Sequence, residues 1–299
     1  MNKGLLLITG SAGLIGRHLI RQLKLREWRV LGVDLEKHDS DVQLDICDEG
    51  RVAALLPDVT GIVHLAGVSR VVDGERDPIR CKLVNVEGTN GIIRRASAAK
   101  MRPWIIFASS REIYGQQDHL PVSEQASPRP MNAYAHSKLM AERLVLDSGL
   151  RGAVLRFSSV YGDILDHADR VTPAFCSAAA AGGQIRIDGK DNGFDFTHVD
   201  DVAEGVCRMI ELVDSSSSMI APTHFVSGEL YSLEQLAELA IEAAAKPCRV
   251  MHAPPRTFDV SRFVGDPSRA VQVIGWRSTT TLELGVRRLV RDFSNQITA

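Results

Sequence analysis

The 299-residue sequence carries little net charge, five scattered cysteines and no long apolar run. Its formal net charge of −2 lacks the basic excess that nucleic acid or an anionic membrane would attract. The cysteines form no CxxC pair, which argues against a zinc site and a disulfide framework and favours a reducing compartment. No apolar stretch reaches membrane-span length, and the first residues lack a signal-peptide layout. We therefore expect a cytoplasmic protein without metal, nucleic-acid or membrane partners.

What is present is the composition of an ordinary globular protein, with 44% hydrophobic and 24% charged residues. The length suits one large α/β unit or two smaller domains. Short apolar runs at 29–34, 61–67, 104–108 and 153–157 alternate with helical patterns at 83–99 and 133–148. This alternation predicts an α/β fold with a doubly wound parallel sheet of Rossmann type. Capping-box patterns at Ser232/Gln235 and Thr280/Glu283 predict the starts of two later helices.

The first sixteen residues combine a buried strand, a tight glycine turn and the start of a helix. An apolar run at 5–8 is followed by Gly10, Gly13 and Gly16, after which apolar residues recur at helical spacing. A helix N-terminus offers unpaired N–H groups and a positive dipole end to phosphate. The glycines permit the turn and let the backbone approach a pyrophosphate. The pattern therefore predicts a dinucleotide site.

Asp34 ends the next predicted strand, about 20 residues beyond the glycine turn. An acid there accepts hydrogen bonds from an adenosine ribose and repels a 2′-phosphate, which favours NAD over NADP although Lys37 is nearby. The small residues Ala66 and Gly67 follow another strand and indicate a ligand crevice at its carboxyl end. His64, within that strand, is interpreted as a packed residue rather than a catalytic one.

Tyr134 and Lys138 stand four residues apart, on one face of a predicted helix. A free tyrosine, with a pKa of about 10, is a poor base at neutral pH. A nearby ammonium and the positive nicotinamide ring of NAD⁺ favour the phenolate, and moving the pKa to 7 takes about 4 kcal/mol. Such a tyrosine can remove a proton from a sugar hydroxyl while hydride leaves the same carbon.

These motifs occur in one order with several others along nearly the whole chain. The order resembles that of the extended short-chain dehydrogenase/reductases, specifically the NAD-dependent nucleotide-sugar epimerase/dehydratase family. The motifs that carry the resemblance are TGxxGxxG at 9–16, Asp34, Asp45-Ile46, His64-Leu65-Ala66-Gly67, Asn85-Val86-x-Gly88-Thr89, Ser109-Ser110-x-x-Ile113-Tyr114-Gly115, Tyr134-x-x-x-Lys138, Leu155-Arg156-Phe157-x-x-Val160-Tyr161-Gly162, Asp195-Phe196-Thr197-His198-Val199-x-Asp201, Asp266-x-Ser268-x-Ala270 and Gly275-Trp276.

The resemblance implies a role for each matching residue. Ser110 bonds the substrate oxygen, Tyr134 is the base, Lys138 assists it, and Glu112 is a further catalytic candidate. Ser110, Ser159 and Arg256 bind the substrate, and Arg256 suits a nucleotide diphosphate by its charge and fork geometry. The implied cofactor-binding residues are Gly10, Gly13, Leu14, Ile15, Gly16, Asp34, Asp45, Ile46, Leu65, Ala66, Gly67, Tyr134 and Lys138.

The resemblance also implies a division of the chain and an assembly. Residues 1–160, with about 194–226 returning to them, would form the NAD-binding Rossmann domain. Residues 161–193 and 227–299 would form a smaller C-terminal α/β lobe that binds a nucleotide-sugar or sugar substrate. A homodimer is implied by the resemblance alone.

Three positions depart from the family pattern. Ser159 replaces the usual Asn and Phe194 the usual Arg, both of which help hold the diphosphate or nucleotide of the substrate. Glu112 is the third departure, because simple 4-epimerases usually lack a Glu there; it matches a carboxylate of family dehydratases and decarboxylases that can remove the C5 proton beside a 4-keto group. The acid that precedes this carboxylate in dTDP-sugar dehydratases is replaced by Arg111, so a local Arg111–Glu112 ion pair is the alternative interpretation.

Four functions follow as hypotheses. The first is a nucleotide-sugar 4-epimerase, similar to UDP-glucose 4-epimerase, that passes through a 4-keto intermediate and regenerates NAD⁺. The second is a 4,6-dehydratase or decarboxylase that uses Glu112 after the same oxidation. The third, suggested by Phe194 and Ser159, is an NAD-dependent dehydrogenase of a non-nucleotide sugar or sugar acid. The fourth is a non-catalytic dinucleotide sensor, which the intact Ser110, Tyr134 and Lys138 disfavour.

Overall fold

The computed structural model describes residues 3–37 and 40–298. The strands are β1 Leu5–Thr9, β2 Arg29–Asp34, β3 Val42–Gln43, β4 Val59–His64, β5 Trp104–Ser110, β6 Gly152–Phe157, β7 Ser159–Tyr161, β8 Gln184–Asp188, β9 Gly193–Phe194, β10 Phe196–His198, β11 Met219–Phe225, β12 Tyr231–Ser232 and β13 Arg249–Ala253. The α-helices are α1 Leu14–Leu25, α2 Glu49–Leu55, α3 Val71–Arg76, α4 Pro78–Lys82, α5 Thr89–Ala98, α6 Ala133–Leu146, α7 Val171–Ala181, α8 Val199–Ser215, α9 Leu233–Ala244, α10 Ser268–Ile274 and α11 Leu282–Thr298.

Seven parallel strands form the central sheet in the order β11-β6-β5-β4-β1-β2-β3. One apolar cluster joins α1 and α8 to one side of the sheet, and a second joins α2, α5 and α6 to the other. The predicted Rossmann-type, doubly wound parallel sheet is confirmed. The chain reverses its direction of winding between β1 and β4, and ligands bind outside the carboxyl ends of the strands at such a switch point.

Most of the later elements build a smaller α/β unit beside the sheet, whereas α10 packs against α8 and β11 of the main sheet. Helices α7, α9 and α11 pack together with the parallel pair of β8 and β13 around a separate apolar cluster. There are two further short pairs: β7, which follows β6 almost directly, pairs with β10, and β9 pairs with β12. The last strand of the main sheet, β11, pairs with β6 after α8, so the chain returns to the large sheet before it completes the smaller unit.

One predicted helix contains an unpredicted irregularity. Residues 83–99 are helical as expected, but Leu83–Gly88 is a π-helix inserted between α4 and α5. The Thr89 hydroxyl donates to the Asn85 carbonyl at 2.6 Å and competes with the normal ladder there. Single π-turns inside α-helices frequently lie at functional sites.

The two predicted capping boxes have different outcomes. At α9 the Ser232 hydroxyl accepts from the Gln235 amide, and the Gln235 side chain accepts from the Ser232 amide, as predicted. The prediction for the last helix is wrong by one residue. The hydroxyl of Thr281, rather than Thr280, accepts a hydrogen bond from the Leu284 amide at 3.3 Å. Within the described residues, no helix has the length and apolar character needed to cross a membrane.

Candidate active site

The glycine turn between β1 and α1 is packed too closely for side chains. Gly10 has φ +73°, and a Cβ there would lie 2.7 Å from the Ala66 amide nitrogen. A Cβ on Gly16 would lie 2.2 Å from the Gly10 carbonyl oxygen. Gly13 is the N-cap of α1 and has no side chain with which to satisfy the first N–H groups of the helix. The turn therefore forms a backbone cradle at a helix N-terminus, which is the arrangement that binds a pyrophosphate.

Asp34 lies at the carboxyl end of β2, directly beside this turn. Its Oδ2 accepts from the Ala12 amide at 2.9 Å and its Oδ1 accepts from the Glu36 amide at 3.2 Å. These bonds hold the carboxylate at the rim of the cleft, where Asp45 and Ile46 also border the cavity. Polar and apolar surface thus meet where an adenosine would bind.

The loop after β4 is fixed by hydrogen bonds from buried side chains. His64 is bonded to Thr9 at 2.7 Å and to Thr89 at 2.9 Å, and burial lowers its pKa to about 3, so it is a neutral, packed residue. The Thr9 hydroxyl also accepts from the Ala66 amide at 3.2 Å. Asn85 accepts from the Val68 amide at 2.8 Å. The π-helix therefore supplies the side chain that orients the loop carrying Ala66 and Gly67.

Ser110, Tyr134 and Lys138 meet at the bottom of the cleft. Ser110 ends β5, and α6 places Tyr134 and Lys138 one turn apart. All three are buried. Burial raises the pKa of Tyr134 to about 12, while its hydrogen bond with Ser110 acts in the opposite direction. Burial lowers the pKa of Lys138 to about 8, and its Nζ donates to the Ala108 carbonyl at 2.9 Å.

The predicted lowering of the Tyr134 pKa toward 7 is not a property of the protein alone. Desolvation of the phenolate dominates, and the Lys138 ammonium is bonded to backbone. An additional positive charge next to the hydroxyl is needed before Tyr134 can act as a base at neutral pH.

A buried polar network lies behind Ser110, Tyr134 and Lys138. Glu142, one turn after Lys138 on α6, pairs with Arg156 of β6 and accepts from the Ser109 hydroxyl at 2.6 Å. Arg156 donates in turn to the Tyr114 hydroxyl, which is bonded to His224 at 2.7 Å. The network joins α6 to three neighbouring strands and so fixes α6 relative to Ser110.

Glu112 and Arg111 form the ion pair given as the alternative interpretation. Arg111 Nη2 lies 3.0 Å from Glu112 Oε1, and both side chains are largely buried at the edge of the cleft. The side-chain amide of Asn132 donates to Oε2, the other carboxylate oxygen of Glu112, at 3.4 Å. The carboxylate is therefore engaged on both oxygens.

The predicted substrate residues lie at the far end of the same cleft. Ser159 borders the cavity, and its amide donates to the Asp195 carbonyl at 3.1 Å. Arg256 is half exposed, and its Nε donates to Asp259 at 2.7 Å. Phe194 faces the cavity, and the Arg111 guanidinium lies 4.4 Å from the centre of its ring.

A segment to which the sequence assigned no separate role crosses the cleft. This segment, residues 163–170, is called the clasp below. At its start, Asp163 Oδ2 lies 3.2 Å from Arg17 Nη2 and 2.9 Å from His18 Nε2. Arg17 and His18 belong to the first turns of α1, so the clasp is held against the phosphate cradle.

The other end of the clasp is held by the loop after β4. Asp169 pairs with Arg70, and Arg170 donates to the Ser69 hydroxyl at 3.1 Å. The clasp thus joins the two loops that would flank a bound dinucleotide. Charged residues spaced along a loop were its signal in the sequence, but their partners are distant in the chain.

All the predicted site residues line one continuous cavity of about 1180 Å³. That volume exceeds the roughly 300–1000 Å³ typical of a site for one small molecule. The cavity runs from the glycine turn, past Ser110, Tyr134 and Lys138, to Arg256. It therefore has room for a dinucleotide at one end and a second ligand at the other.

Comparison with known proteins agrees with this geometry. The family model described as "NAD dependent epimerase/dehydratase family" matches residues 6–226. The chain belongs to the NAD-dependent epimerase/dehydratase family. The expected membership of the extended short-chain dehydrogenase/reductases and the expected NAD cofactor are confirmed, and the glycine cradle with Asp34 fits that cofactor.

Two curated relatives within this family match over nearly full length. The chain is 27% identical to GDP-6-deoxy-D-mannose reductase of Pseudomonas aeruginosa over 98% of each chain. It is 29% identical to UDP-glucose 4-epimerase of Mycolicibacterium smegmatis, covering 97% of this chain and 98% of that protein. These two relatives are a nucleotide-sugar reductase and a nucleotide-sugar epimerase, and the chain, as a member of this family, is an enzyme.

Among solved structures, the chain is similar to MoeE5. The complex with UDP-glucose and NAD has a TM-score of 0.90 and 26% identity, covering 99% of this chain and 100% of that one. The complex with UDP-glucuronic acid and NAD has a TM-score of 0.90 and 25% identity, covering 98% of this chain and 100% of that one.

Proposed function

We propose that the protein is a nucleotide-sugar 4-epimerase that acts through a 4-keto intermediate and keeps its NAD through the catalytic cycle. The observation that carries this proposal is the clasp. Epimerisation needs the cofactor to stay bound while the keto sugar turns over, since hydride must return to the same sugar. A segment held to both cofactor loops by four side-chain contacts opposes dissociation of the dinucleotide.

The proposed chemistry assigns one task to each catalytic side chain. Tyr134 removes the proton from the 4-hydroxyl, and the Ser110 hydroxyl bonds the same oxygen. Lys138 holds a positive charge near the phenolate and lies within the buried wall of the cleft. Bound NAD⁺ supplies a hydride acceptor and the additional positive charge that favours the phenolate. In the return step Tyr134 gives the proton back to the oxygen.

The Arg111–Glu112 pair disfavours dehydration as the main reaction. A general base must have an oxygen free to approach the proton it removes, whereas both oxygens of Glu112 already have partners. Position 111 also holds a cation where an acid would have to protonate the leaving hydroxyl. We therefore favour the epimerase over the dehydratase and the decarboxylase.

A dehydrogenase or reductase of a nucleotide sugar is the second candidate, because GDP-6-deoxy-D-mannose reductase matches over 98% of the chain. A reductase must exchange its cofactor in every cycle, so the two functions predict opposite fates for the dinucleotide. Release of NADH with a free sugar acid would instead support the non-nucleotide dehydrogenase.

The test is to incubate purified protein with UDP-glucose, UDP-glucuronic acid, GDP-mannose and free glucuronate, with and without added NAD⁺. Product of unchanged mass with an inverted C4 by NMR, and no accumulation of NADH, supports the epimerase. A product lighter by water or carbon dioxide supports the dehydratase or decarboxylase. Accumulating NADH contradicts retention of the cofactor and supports the dehydrogenase.

We also propose a homodimer. Ile79 on α4, Leu83 on the π-helix and Met140 on α6 are 84%, 51% and 43% exposed on elements that pack against one another. Exposed apolar side chains that lie together mark interaction surfaces. Light scattering after gel filtration should give a dimer mass, and Ile79→Glu with Leu83→Glu should give a monomer.

A further inference from the structure

We propose that Arg111 binds an oxyanion of the substrate, a carboxylate on the sugar or a phosphate of the nucleotide, and that Phe194 holds its guanidinium in place. This inference deepens the proposed function and rests on it for the sugar ligand. Arg111 follows Ser110 directly in the chain and lines the same cavity as Tyr134. A charge at this position therefore lies at the sugar end of the cleft rather than at the cofactor end.

The Arg111 guanidinium is held by two aromatic rings from distant parts of the chain. Its Cζ lies 4.4 Å from the centre of the Phe194 ring and 5.5 Å from that of Phe263. Both distances are within the range of cation–π attraction. Such packing removes rotational freedom before a ligand arrives, and a planar guanidinium presents a ready-made fork to an oxyanion.

The hydrogen bonds of Arg111 are incomplete. Nη2 is paired with Glu112, but Nη1 is buried and has no hydrogen-bond partner within residues 3–37 and 40–298. A buried cationic N–H without a partner is costly. An ion pair with Glu112 alone does not account for it, because Nη1 contributes nothing to that pair. A ligand oxyanion that enters the cleft and shifts the side chain slightly would supply the missing acceptor.

Phe194 borders the cavity and also packs against two side chains. It contacts Arg111 and Phe196, and the centre of the Phe196 ring lies 6.4 Å from that of Phe194. Positions 111 and 194 are far apart in sequence but adjacent across the cleft. An apolar ring at 194 therefore supports a cation at 111, and the two residues together form one recognition element.

The test uses the NAD-loaded protein and Arg111→Gln, Arg111→Lys and Phe194→Leu. Arg291→Gln is the matched control, because Arg291 is 67% exposed on α11 and pairs only with its neighbour Asp292 among the described contacts. The double variant Arg111→Gln/Glu112→Gln removes both charges in case the single change destabilises the fold. Calorimetric titration measures Kd for UDP-glucose, UDP-glucuronic acid, UDP, pyrophosphate and glucuronate, and thermal melting checks each variant.

We expect Arg111→Gln to weaken binding of the recognised anion by about 10- to 100-fold, the effect of losing hydrogen bonds from a charged group. Arg111→Lys should recover part of it, since the charge remains but the fork does not. Equal losses for UDP, pyrophosphate and both UDP-sugars identify a phosphate. A loss confined to UDP-glucuronic acid and glucuronate identifies a sugar carboxylate.

The proposal is overturned if Arg111→Gln and the double variant bind every ligand as tightly as Arg291→Gln does, or if no anion binds the wild type. Failure of the two proposals can be distinguished. Wild-type binding of UDP-sugars that is insensitive to Arg111 leaves the nucleotide-sugar function standing and removes this inference. Glucuronate binding that depends on Arg111, without any UDP-sugar binding, leaves this inference standing and removes the nucleotide-sugar function.

Discussion

The buried Glu142–Arg156 pair allows a quantitative test of how α6, the helix that carries Tyr134 and Lys138, is held in place. Glu142→Gln keeps the shape of the side chain and its ability to accept from Ser109, but removes its negative charge. Both partners of the pair are at least 93% buried as side chains, so water cannot replace the lost charge. The Arg156 guanidinium would remain as an uncompensated cation beneath α6.

The expected cost follows from that burial. Breaking a buried pair by removing one partner costs about 3–5 kcal/mol, whereas an exposed i,i+4 pair contributes about 0.3–0.5 kcal/mol. Glu283 provides the matched control, because it makes an exposed i,i+4 pair with Arg287 at 2.9 Å. Glu142→Gln should therefore destabilise the protein several times more than Glu283→Gln does.

Urea unfolding followed by far-UV circular dichroism measures both variants against the wild type. The midpoint for Glu142→Gln should fall strongly with little change in slope, since the surface exposed on unfolding is the same. If Glu142→Gln costs no more than Glu283→Gln, the buried network does not stabilise α6 and the reasoning is refuted.

Three further predictions concern the cofactor and the alternative reaction. Asp34→Ser should weaken NAD binding and narrow the preference for NAD over NADP, measured by fluorescence titration; an unchanged preference would contradict the assignment of Asp34 to the ribose. Burial opposes charging of His18, but hydrogen bonds to Asp163 and Asp200 outweigh it and raise its pKa above 6.5. The charged imidazole therefore stabilises the clasp fully below pH 6.5, and this stabilisation is lost as the pH rises through the pKa of His18 in the folded protein. Stopped-flow release of NAD should accordingly be faster at pH 8.5 than at pH 6, and His18→Asn should reduce the difference; Arg17 and Arg21 face the same carboxylates. Glu112→Gln should leave C4 inversion, followed by NMR, largely intact, whereas loss of inversion with Glu112→Gln would show that the carboxylate has a chemical role.

The sequence predicted the helices, strands and turns whose structure depends on residues close together in the chain. The bounds of β2 are those expected, and α6 carries Tyr134 and Lys138 on one face as their spacing required. The glycine turn was predictable because its steric demands act within a few residues. The packing of His64 also followed from its position in an apolar strand, although its two threonine partners did not.

Contacts between distant segments were not predictable in the same way. The clasp depends on Asp163 meeting Arg17 and on Asp169 meeting Arg70, and nothing in the local sequence pairs them. The contact between Arg111 and Phe194 joins two departures from the family pattern that looked independent in the sequence.

The pKa of Tyr134 shows a third limit. Its expected lowering took account of nearby charges but not of burial, which raises the value to about 12 in the protein alone. Desolvation is a property of the folded cleft, so it becomes visible only with the structure.

The most direct test of the central claim compares wild type with Tyr134→Phe on the nucleotide sugar that the wild type converts. NMR follows inversion at C4, and acid release followed by chromatography measures NAD bound to each purified protein. We predict that Tyr134→Phe retains wild-type NAD content while turnover falls by about 10²–10⁴-fold, the range of general acid–base catalysis. Turnover within tenfold of wild type, with NAD still bound, would contradict the assignment of Tyr134 as the base and with it the proposed mechanism.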